Sequence, residues 1–99
     1  MHRRGRTRRH AVVAAPLLAG VSAAIGDVMW TTSELISEAG RDARLRAAIV
    51  TATGAHDAGT TRRLGALCSR VEGAVLAGFR VERGDADRDG AVRWRVLRS

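Results

Sequence analysis

The chain has 99 residues, 45% of them hydrophobic, a formal net charge of +7 and a single cysteine, Cys68. That length allows one domain with a thin core, and that apolar content is too high for a disordered chain. One thiol excludes both an intrachain disulfide framework and a thiolate-ligated metal cluster, and it fits a reducing, cytoplasmic compartment.

All 17 basic residues are arginine, and five of them, Arg3, Arg4, Arg6, Arg8 and Arg9, fall within the first ten positions. Residues 60–99 carry nine arginines against five acids, whereas residues 11–59 carry three against five. Basic charge therefore sits at both ends of the chain around a mildly acidic middle, a distribution compatible with a polyanionic partner.

In chain order, residues 1–10 read as a basic arm without fixed structure. Residues 11–26, AVVAAPLLAGVSAAIG, read either as a first helix with Pro16 near its start or as the apolar part of an export signal ending in small residues. The stretch is too short to span a bilayer. Val28-Met29-Trp30 suggests a short strand. Thr31 and Glu34, three apart, form a capping box for a two-turn helix bearing Leu35, Ile36 and Ala39 and ending at Gly40. Asp42 caps the next helix, whose buried stripe is Leu45, Ala48, Ile49 and Ala52. Residues 53–59 form a glycine-bounded loop.

Thr60 or Thr61 is expected to cap a third helix reaching about Glu72, with Leu64, Leu67, Cys68 and Val71 inward and Arg62, Arg63, Ala66, Ser69 and Arg70 outward. Beyond Gly78 the apolar period changes to two. Phe79 and Val81 alternate with Arg80 and Glu82, and Val92, Trp94 and Val96 alternate with Arg93, Arg95 and Leu97. Residues 84–90 are a turn-rich connection. This predicts a hairpin with one apolar face, and parity calls for Phe79 to pair with Trp94 or Val96. The predicted class is α+β: residues 11–99 form a single winged helix-turn-helix domain, three to four helices packed on a C-terminal two-stranded wing.

From Leu45 to Val96 the chain resembles the C-terminal winged-helix segment of primase–helicase replication proteins of phages and integrative elements. The resemblance rests on Leu45-Arg46, on Thr61-x-Arg63-Leu64-Gly65 with Gly73 after it, on Gly78-x-Arg80-Val81-Glu82-Arg83, and on Gly90-x-Val92-x-Trp94-Arg95-Val96. It implies a DNA-binding accessory module of a mobile-element replication protein, with a replication protein as a further partner. Gly73-Ala74 departs from the Gly-Arg of that family and removes one positive charge. The motor is lacking, since a phosphate-binding loop needs a lysine that this chain does not contain.

On a DNA-binding reading, duplex or single-stranded, Thr60 and Thr61 meet phosphate at the helix start. Arg62, Arg63 and Ser69 face base edges, with Arg70 on the same exposed side. Arg80, Arg88, Arg93 and Arg95 on the wing follow the backbone or the minor groove, and the basic arm adds salt-sensitive attraction. The alternatives are a protein-docking winged helix that binds no DNA, and a small exported protein with a cleaved signal.

Other signals are weaker. Asp85-x-Asp87-x-Asp89-Gly90 copies half of a calcium loop, but Val96 stands where the closing glutamate belongs. Cys68, Trp30 and Trp94 read as core residues, and His2, His10 and His56 lack partners at ligand spacing. No catalytic constellation is visible, so a non-enzyme without metal or cofactor is expected.

Overall fold

The computed structural model describes residues 2–99, with side chains from His10 onward. It is α+β, with four helices and one antiparallel hairpin: α1 (His2–Ile25), α2 (Thr32–Ala39), α3 (Ala43–Thr53), α4 (Thr60–Val71), β1 (Phe79–Arg83) and β2 (Trp94–Arg98).

Helix α1 begins at His2, so the backbone of the arginine-rich segment, expected to be a separate arm, is continuous with the first helix. Pro16 therefore lies well inside the helix rather than near its start. Its ring removes one N–H from the ladder, which leaves the carbonyl four residues earlier unpaired, and that residue, Val12, is exposed to solvent. Ala14, Leu17, Leu18 and Val21 recur at helical spacing and are all buried. Through this stripe α1 packs on α3 and α4 and touches both strands.

Local signals at α2 and α3 act as their chemistry requires. The Thr31 hydroxyl accepts from the Glu34 N–H at 3.2 Å, and the Glu34 carboxylate accepts from the Thr31 N–H at 2.8 Å, which closes the capping box. The Asp42 carboxylate accepts from the Leu45 N–H at 3.0 Å. Helix α3 ends at Gly54, whose φ of +88° is left-handed and costs a residue without Cβ little.

Helix α4 departs from expectation at its start. Gly59, not a threonine, occupies the N-cap, and no side chain caps the helix. Thr60 is the first helical residue and is only 1% exposed. Its hydroxyl donates to the Ala55 carbonyl at 3.0 Å and accepts from the Asp57 N–H at 2.8 Å, pinning the α3–α4 loop from beneath. The stripe of Leu64, Leu67, Cys68 and Val71 is buried as the spacing predicts.

After α4 the Leu76-Ala77-Gly78-Phe79 turn reverses the chain, with Leu76 and Phe79 bonded to each other in both directions. Ala77 sits at φ +52° and Gly78 at +86°, the sign that two-residue hairpin turns require. The hairpin pairs Val81 with Val96, flanked by Phe79 with Arg98 and Arg83 with Trp94. Phe79 thus lies opposite Arg98 rather than Trp94 or Val96. Parity is preserved but the register is shifted, because β2 starts at Trp94 and Val92 belongs to the connection before it. The expected strand at residues 28–30 reduces to one rung: Trp30 and Trp94 exchange backbone bonds of 2.8 and 2.7 Å. Val28 and Met29 are exposed and pair with nothing in the sheet. Trp30, Trp94, Val81 and Val96 join the helical stripes in one core.

Candidate nucleic-acid interface

The site is built around α4, twelve residues and about 18 Å long. Its inward stripe faces the core, and successive residues step about 100° around the axis, so the outward residues fall into three lines. Arg62, Ala66 and Ser69 form the midline, directly opposite Leu64 and Leu67. Thr61 and Gly65 lie on the flank toward α2 and the hairpin, where a groove also receives Thr32, Arg83 and Val92. Arg63 and Arg70 lie on the other flank, where a second groove is closed by His10 of α1 and Thr53 of α3. Small residues at 65, 66 and 69 keep the outward surface low, so that backbone and short side chains can approach a partner closely.

The expected contact residues divide by what already holds them. Thr60 is buried and bonded, so its hydroxyl is not available to a phosphate; Thr61 is exposed. Arg62 is exposed and, among the described residues, has neither an ion pair nor a side-chain hydrogen bond; the same is true of Arg70. Arg63 is exposed but turned back, its guanidinium 2.8 Å from the Asp57 carboxylate. The Arg63 hydrogen bond, and after it the Gly59 N–H, hold the Asp57 carboxyl below its usual range. The carboxylate so placed at the start of α4 repels a phosphate there, which weakens the expected helix-terminus contact.

Ser69, expected at base edges, accepts from Arg83 at 3.0 Å. The same Arg83 lies 3.6 Å from Glu72 and stacks 4.8 Å above the centroid of the Trp94 ring. Arg83 thereby ties α4 to β2 and sets the width of the groove between them. It was not among the expected site residues. Arg83 is exposed at the end of β1, so its sequence signal is weak: parity places it on the side of Phe79 and Val81, next to Trp94, where a guanidinium can stack on the ring.

On the outer face of the hairpin, Arg80 lies 2.8 Å and Arg95 3.5 Å from Glu82. Hydrogen bonding to Arg80 and the charge of both guanidinium groups hold the Glu82 carboxyl below its ordinary range. Arg88 is exposed at the tip of the connection, and Arg93 is half-buried at its return. The acidic motif in that connection serves its own backbone: the Asp87 carboxylate accepts from the N–H groups of Asp89 and Ala91, each at 2.9 Å. No group of three or more potential ligands among the described residues could hold a metal ion. Burial pushes the Cys68 thiol up to about 12, so it is a packing residue and not a nucleophile. No helix among the described residues is long and apolar enough to cross a membrane.

Compared with family models, curated proteins and solved structures, the chain matches none of them.

Proposed function

We propose that the chain is a winged-helix DNA-binding module in which α4 is the reading helix and the β1–β2 hairpin the wing. One observation carries this reading: Arg62 stands exposed, without an ion pair among the described residues, on the midline of the outward surface, where its neighbours Ala66 and Ser69 are small. A guanidinium so placed can bind guanine through two parallel hydrogen bonds. The element order supports the same reading, since the Trp30 rung lies beside β2 and the hairpin follows the two-helix unit of α3 and α4. The resemblance to mobile-element primase–helicase proteins supports placing the module in DNA replication, where a replication protein is the natural second partner.

The test is fluorescence anisotropy of labelled DNA across a salt titration. Each phosphate neutralised contributes a slope of roughly −0.9 to log K against log salt for duplex, so binding is expected to weaken steeply between low and moderate salt. Arg62→Ala is expected to lower affinity about tenfold or more, within the ~1–3 kcal/mol of a two-pronged contact. Binding that ignores salt, or an Arg62→Ala protein as tight as the parent, sinks the proposal.

A second reading, a protein-docking winged helix, is favoured by the neutralisation of Arg63, Arg80 and Arg95 by neighbouring carboxylates. It predicts no measurable DNA affinity at any salt concentration.

A further inference from the structure

The groove between α1 and α4 is distinct from the groove beside the wing, and its charged groups are of one sign. Its charged lining residues are Arg63 and Arg70, with His10 and neutral residues completing it; among the described residues no carboxylate lines it, and Arg63 is paired with Asp57 outside it. The wing-side groove is also free of lining carboxylates and carries Arg62 and Arg83. Helix α4 therefore has cations on both flanks as well as at its midline. Arg63 and Arg70 are seven residues apart, about 10 Å along the helix axis, so their line runs parallel to α4. In sequence, the segment before His10 carries five arginines and no acid.

A helix with its side chains is about 10–12 Å across, and the major groove of B-form DNA is about 12 Å wide and bounded by a phosphate backbone on each side. A helix seated there has one strand's phosphates on each flank. A single strand can follow only one flank. Resting on the DNA-binding reading above, we infer that the α1–α4 groove is a second phosphate track, taking the strand opposite the one beside the wing, and that the ligand of the module is duplex DNA. Arg70 is the principal contact of that track because it is exposed and has no ion pair among the described residues; His10 closes the track from α1, and Arg63 joins it when it leaves Asp57.

The experiment compares a fluorescein-labelled duplex of about 16 base pairs with its isolated strands, using the full chain. Three variants are measured: Arg70→Glu, the double variant His10→Ala with Arg70→Ala, and Arg44→Glu. Arg44 is exposed on α3 and lines neither groove, so it reports the loss of net charge alone. Thermal melting confirms that each variant is folded, and Arg70, at an exposed position, keeps the test independent of any packing role of His10.

The expected result is a loss of about tenfold or more in duplex affinity for Arg70→Glu, with a salt slope flatter by about one unit. Single-strand affinity is expected to fall no further than in Arg44→Glu. Equal losses for Arg70→Glu and Arg44→Glu on duplex, or equal losses on duplex and single strand, overturn the second track while leaving DNA binding in place. A parent protein that binds neither probe overturns the DNA-binding reading itself.

Discussion

The exposed face of α4 and the outer face of the hairpin carry similar numbers of arginines, but the two surfaces offer different things to a partner. On α4, among the described residues, Arg62 and Arg70 stand without carboxylates and Arg63 is paired. On the hairpin, Glu82 lies between Arg80 and Arg95, and Glu72 reaches Arg83. Net charge counted along the chain treats these arginines alike. What a polyanion meets is the charge left after local pairing: Arg62 and Arg70 on the helix, and Arg88, Arg93 and Arg98 on the hairpin, none of which has an ion pair among the described residues. The hairpin also has a mechanical part: Arg83 over Trp94 and against Ser69 fixes where the hairpin stands relative to α4.

The largest test of this contrast removes the mechanical link. Trp94 is 2% exposed, exchanges both backbone bonds with Trp30 and lies beneath Arg83. Trp94→Ala is expected to cost about 3–5 kcal/mol, a large share of the roughly 5–15 kcal/mol available to a small domain. Urea denaturation should show the loss, and the hairpin resonances should collapse before those of the helices. Unchanged stability would mean that the hairpin is not anchored through this ring.

A smaller effect tests whether pairing is what silences the hairpin. Glu82→Gln releases Arg80 and Arg95 from their common carboxylate, and duplex affinity is expected to rise about threefold, a small gain because both pairs are solvent-screened. No rise, measured by the same anisotropy titration, would show that these arginines lie outside the contact surface.

The smallest effect is on pH. Asp57 and Glu82 both have carboxyl groups lowered by neighbouring arginines. The sign follows from linkage: a lowered folded value contributes stability above the unfolded carboxyl range, and this is lost as pH falls through the folded value. Both groups are solvent-exposed, so the dependence should be shallow and confined to the acid side of ordinary carboxylate titration. Carboxyl-carbon NMR titration should find both midpoints lowered, and Arg63→Ala should return that of Asp57 toward its ordinary 3.8. An Asp57 midpoint indifferent to Arg63 would remove the pairing that distinguishes Arg63 from its neighbours.

The helical half of the molecule was legible because its signals are local. Thr31 with Glu34, Asp42, Gly54 and the stripe from Leu64 to Val71 are set by bonds and spacing within one or two turns, and each stands where the sequence places it. The hairpin's buried parity was legible for the same reason. Its register was not: alternation says which residues share a face, but only the Leu76–Phe79 turn and the Trp30 rung decide that Val81 meets Val96 and Phe79 meets Arg98. Thr60 misled because a hydroxyl before a helical run suits a cap equally well when it is in fact turned inward to the α3–α4 loop. The single-residue strand at Trp30, and an indole N–H there that is buried with no acceptor among the described residues, have no signature in local spacing.

The sequence by itself determined that α2, α3 and α4 are helical, that Leu64, Leu67, Cys68 and Val71 are the stripe α4 buries, and that the C-terminal third alternates, because all three follow from backbone geometry over a few residues. The tertiary structure alone decided which arginines are matched by carboxylates and that two basic grooves flank α4. Arg80 with Glu82 is a near neighbour in sequence, but Arg83 with Glu72, Arg95 with Glu82 and the meeting of His10 with Arg70 need the helices and the hairpin to close on a common core.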